Sequence, residues 1–81
     1  MIDSNERQRM LRAHSIGPTM IAYLDEAGIT RLDELVGADA HEIAMRIEIA
    51  VGYKRLNKSG IAALRNLIEL ANTECGNKPG P

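Results

Sequence analysis

Eighty-one residues with a formal net charge of −1, and two tyrosines as the only aromatics, describe one small domain whose core must come from Leu, Ile, Val, Met and Ala. A single cysteine, Cys75, excludes an internal disulfide framework and a thiolate metal cluster, and no apolar run reaches the roughly 18 residues that cross a bilayer. The opening "MIDSNERQRM" is polar from its third residue and does not read as a signal peptide, so a cytoplasmic protein is expected.

Asp3 or Ser4 is placed to cap a first helix running to about Ala13, with only Met10 and Leu11 as apolar content. "SIGPT" follows, and Pro18 suits a first helical turn, where its missing N–H is no loss. A second helix is therefore predicted from Pro18 to Ala27, closed by Gly28 in a left-handed conformation with Ile29 as the apolar contact after it. "TRLDEL" reads as a short helix with a capping-box-like start at Thr30, ended by Gly37. Asp39 then caps "AHEIAMRIEIAV", where Ile43, Ile47, Ala50 and Val51 form one apolar stripe and Met45 with Ile49 a second. Gly52 ends that helix. "YKRLNKSG" is an irregular connection, and Ser59 is the predicted cap of a last helix carrying Ile61, Leu64, Leu67, Ile68 and Ala71 at helical spacing. Gly76 stops it. The expected organisation is one all-α domain over residues 1–75, four to five short helices, with 76–81 as a flexible polar tail.

Charge is unevenly spread. Residues 19–52 hold Arg31 and Arg46 against seven acids, whereas 53–66 hold Lys54, Arg55, Lys58 and Arg65 with no acid. Segregation of this kind bears on partners rather than on fold.

Ile16-Gly17-Pro18-Thr19 between two helices resembles the turn of helix-hairpin-helix domains. Leu24, Gly28 and Ile29 match the closing Leu-x-x-x-Gly-Ile of that motif, and "TRLDELVGADAHEIAMRI" looks like the continuation found in small bacterial proteins of the pathogenicity locus family. The resemblance covers about residues 11–72 and implies a helix-hairpin-helix or SAM-like orthogonal bundle. It also implies sequence-independent binding of duplex DNA through backbone phosphates. Ser15 stands where the family pattern has its first glycine, and Thr19 where DNA-binding members often carry Lys or Arg.

An uncapped helix N-terminus offers N–H groups and a partial positive charge that hold a phosphate oxygen without reading a base. On this reading the phosphate-binding residues are Ile16, Gly17, Thr19 and Met20 at the turn, with Lys54, Arg55 and Lys58 supplying charge. Gly17 equally reads as a structural turn glycine. The alternative function is a protein-interaction or homodimerisation module that keeps the fold without binding DNA. Near-neutral charge and the second stripe, Met45 and Ile49, favour it. Arg7, Arg9 and Arg12 read as a solvated face, and His14 and His41 as surface histidines. No nucleophile–base pair or ligand cluster stands at a suggestive spacing, so no enzyme, cofactor, metal, membrane or small-molecule substrate is expected.

Overall fold

A computed structural model describes residues 2–52 and 56–76. Among these the chain forms four α-helices, α1 (Ser4–Met10), α2 (Pro18–Glu26), α3 (Ala40–Ala50) and α4 (Lys58–Glu74), and a 3-10 turn at Leu32–Leu35, with no strand. The fold class is all-α.

The longest amphipathic stretch becomes the axis. α4 buries Ala63, Leu64, Leu67, Ile68 and Ala71. Both α3 and the 3-10 turn pack against it, α2 packs on α3, and α1 leans on the 3-10 turn. Among the described residues eight large side chains are essentially sealed from solvent, Met10, Leu24, Leu35, Ile47 and Leu67 among them. None is aromatic, so the small core closes by interdigitating aliphatic chains. Burying one such side chain contributes about 1.5–3 kcal/mol.

Local rules set most boundaries. Asp3 accepts from the N–H of Glu6 and caps α1, and Asp39 accepts from His41 and caps α3. Gly28 has φ +80°, as a C′ residue should, with Gly28 N–H bonded to Asp25 and Ile29 N–H to Leu24. That double bond pattern closes α2 as a Schellman motif and seals Ile29 in the core.

Three boundaries differ from the expectation. α1 ends at Met10, not near Ala13. Beyond Leu11 the chain tightens to three-residue bonds, Arg12 N–H to Arg9 and Ala13 N–H to Met10. The tighter winding stacks residues three apart and turns Met10, Ala13 and Ile16 inward together. The last helix is capped by Asn57 rather than Ser59: the Asn57 amide oxygen accepts from Gly60 N–H at 2.8 Å, so α4 starts at Lys58. Asn and Ser cap about equally well, and the earlier start sets Leu56 and Ile61, both half-buried against the core, at the two positions of a hydrophobic staple. The 3-10 turn starts one residue later than the expected Thr30, with Glu34 reaching back to accept from the N–H groups of Thr30 and Arg31. Arg31 takes the cap position.

Gly76 follows the Cys75 cap of α4, as predicted, but for a steric reason. A Cβ there would lie 2.7 Å from Val36 Cγ1 and 3.1 Å from the Asn72 carbonyl oxygen.

Candidate nucleic-acid interface

The segment between α1 and α2 is a tight turn closed by the Ile16 N–H on the Ala13 carbonyl (3.3 Å). Ser15, its third residue, carries φ +70°, and it is the one non-glycine residue in the left-handed region among those described. A position of this kind favours glycine, because a Cβ crowds the following carbonyl. The turn is anchored from both sides. Ala13 and Ile16 are buried beneath it, and the Asn66 side chain on α4 donates to the His14 carbonyl at 2.9 Å.

Gly17 is therefore not the residue that turns the chain. Its backbone is extended (φ −123°, ψ −176°), and a Cβ would meet nothing within 4 Å. It is the N-cap of α2 and has no side chain to bond the helix's first N–H groups. Pro18 adds no donor of its own. α1, α3 and α4 each have a side-chain cap from Asp3, Asp39 and Asn57; α2 has none. The N–H groups of Thr19 and Met20 thus stand at the positive end of a nine-residue helix with no cap side chain in front of them.

This end of α2 opens on a cleft of about 410 Å³ shared with the first turn of α4. Ser15, Thr19 and Ser59 bring three hydroxyls to it, Gly17 and Gly60 leave its mouth free of side chain, and Met20, Tyr23 and Ala63 line its apolar part. Thr19, Ser15 and Ser59 are exposed. Two helix N-termini distant in sequence, at residues 18 and 58, therefore face one opening.

Of the residues expected to bind phosphate, Gly17, Thr19 and Met20 line this cleft. The side chains of Ile16 and Met20 are buried; Met20 has its backbone N–H to offer, whereas the Ile16 N–H is taken by the Ala13 carbonyl and Ile16 does not line the cleft, so Ile16 drops out of the expected set. Lys58 is exposed at the first position of α4, adjoining the Ser59–Gly60 wall. Lys54 and Arg55 lie outside the described residues. Sequence reasoning missed Ser59 as a lining residue, Tyr23, and the clamp from Asn66. For Ser59 and Asn66 spacing along the chain carries no signal, because each meets the turn only through the packing of α4; Tyr23 stands four residues after Thr19 on α2, where helical spacing puts both on one face.

The arginines of α1 and of the turn after it divide. Arg9 lies 3.5 Å from Glu6 and 3.7 Å from Glu74 and donates to the Cys75 sulfur at 3.3 Å. Cys75 chiefly raises its guanidinium above the ordinary arginine range; burial opposes the shift, and the carboxylates of Glu6 and Glu74 add to it. Arg12 pairs with Glu74 at 3.3 Å. These two tie α1 to the end of α4 rather than face a ligand. Arg7, exposed, shares a shallow groove of about 290 Å³ with Pro18, Ile21 and Asp25 on the other flank of the α2 N-terminus.

The second glycine turn is built differently. Gly37 N–H is taken by the Asn72 amide oxygen at 2.8 Å, and Asp39 fills the cap of α3 with a carboxylate. That end is already satisfied and repels anions. His14 and His41 are exposed. Among the described residues no three His, Cys, Asp or Glu side chains gather as metal ligands, and no helix is long and apolar enough to cross a membrane.

Comparison with family models, with curated proteins and with solved structures gives no match to this chain.

Proposed function

We propose that this chain is a helix-hairpin-helix type module, related to the bacterial pathogenicity locus family, that binds the phosphate backbone of duplex DNA without reading its sequence. The observation that carries the reading is the uncapped N-terminus of α2 opening, beside the first turn of α4, on one hydroxyl-lined cleft. A phosphate oxygen there would accept the N–H groups of Thr19 and Met20 and the hydroxyls of Thr19 and Ser59. Ser15 supports the same reading. Its left-handed backbone falls where the family pattern has its first glycine, a conformation that glycine adopts readily.

Charge comes from the flanks. Lys58 stands in the first turn of α4, where the helix dipole disfavours a cation by about 0.3–1 kcal/mol. Folding gains nothing from a lysine there, whereas a bound anion does. Arg7 stands beside Pro18 on the opposite flank. Neither Arg9 nor Arg12 contributes, since both are committed to acids. Few phosphates are neutralised, so binding is weak. The module holds DNA and performs no chemistry on it.

The test is an amide-shift titration with two unrelated duplexes at low and moderate salt. Shifts are expected at residues 16–20 and 58–60, about equal for both duplexes. Log affinity should fall by about 0.9 per phosphate contact for each decade of salt, hence by about 2.7 for three contacts. Thr19→Lys should tighten binding, and Arg7→Glu with Lys58→Glu should abolish it. A protein silent to both duplexes at low salt would refute the proposal.

A further inference from the structure

The apolar surface of α3 points to a second site, independent of the cleft. Met45 and Ile49 are 59% and 56% exposed, four residues apart on one face, while Ile43, Ala44 and Ile47 on the opposite face fill the core. Met45 and Ile49 were already legible in the sequence as a stripe in excess of what one core needs. The structure leaves that stripe in solvent, bordered along one side by the exposed pair Glu42 and Arg46.

We propose that this face is the interface of a symmetric homodimer in which two α3 helices cross antiparallel. The charges select the partner and the register. In a helix, residues 42, 45, 46 and 49 share one surface. Two antiparallel copies related by a twofold axis at the level of residue 44 bring Glu42 of each level with Arg46 of the other, on the same flank. One acid and one base four residues apart are complementary to themselves when reversed. In that same register the two Met45 side chains lie about 3 Å apart along the axis, and each Ile49 lies about 6 Å beyond, at a rise of about 1.5 Å per residue. Ile49, Met45, Met45 and Ile49 then make one continuous column, closed on its flank by two reciprocal ion pairs. Arg46 donates to the Ala27 carbonyl at 3.4 Å and keeps further donors for the partner copy. A net charge of −1 leaves no long-range repulsion to oppose the encounter.

The magnitude follows from size. One face of an 11-residue helix falls well short of the roughly 800 Å² per partner of a stable interface, so the dimer is weak, with Kd on the order of 0.1 mM. Sedimentation equilibrium of the full chain from about 10 μM to 1 mM should show a reversible monomer–dimer equilibrium. Ile49→Glu should weaken it more than tenfold with the melting temperature held, since the side chain is exposed. Glu42→Lys and Arg46→Glu should each weaken it about fivefold, and the two together should return Kd to within about twofold of the parent. Three results would overturn the proposal: a monomer at 1 mM, which would leave another protein as the occupant of this face; a dimer that survives Ile49→Glu; or a double charge swap no tighter than the weaker single variant.

Discussion

Ser15→Gly isolates the strain held in the turn between α1 and α2. Ser15 sits at φ +70° and is exposed. A left-handed residue with a Cβ is disfavoured by about 1–2 kcal/mol relative to glycine. Glycine gives back about 0.4–1 kcal/mol through the freedom it adds to the unfolded chain. The net expectation is a gain of about 0.5–1 kcal/mol. For a domain of this size, 1 kcal/mol moves the melting temperature by about 4–8 °C, so Ser15→Gly should melt some 2–8 °C higher in a thermal circular dichroism scan. Ser15→Asn, which tolerates the same backbone, should fall between parent and Gly, and Ser15→Val should melt lower than the parent. The ranking Gly, Asn, Ser, Val is the diagnostic. If Ser15→Gly melts lower than the parent while Ser15→Val is harmless, the left-handed backbone is not what constrains this turn.

Gly17→Ser supplies the missing cap of α2 without a clash, since nothing lies within 4 Å of the new Cβ. It should raise stability by about 0.5–1 kcal/mol in urea unfolding yet weaken the DNA-induced amide shifts, because the new hydroxyl takes the N–H groups offered to phosphate. Glu6→Ala removes the carboxylate that accepts from Leu32 N–H at 2.7 Å and pairs with Arg9. A loss of about 1.5–2 kcal/mol is expected, read as a lower urea midpoint at an unchanged slope. Gly76→Ala drives a Cβ against Val36 and the Asn72 carbonyl and should lower stability by about 1 kcal/mol, whereas the same change at Gly60, whose nearest neighbour is Leu56 Cβ at 3.4 Å, should be tolerated.

Where a rule needs only a few neighbouring residues, the sequence alone determined the outcome. Pro18 and Gly28 bracket α2, Asp39 and Gly52 bracket α3, and the two stripes of α3 part into a buried and an exposed face as their spacing predicts. Tertiary structure decided the rest. Gly17 looked like the turning residue, but burial of Met10, Ala13 and Ile16 forces the left-handed step onto Ser15 instead. Ser59 and Asn57 cap about equally well in isolation, and the choice of Asn57 came with the packing of Leu56. Asn66 and Asn72 read as ordinary polar positions on α4, yet each holds a turn between other elements, at His14 and at Gly37. The first turns of α2 and α4, at residues 18 and 58, come together on one cleft. Nothing in their separation along the chain encodes that meeting; it exists only once the aliphatic core has chosen how the helices pack.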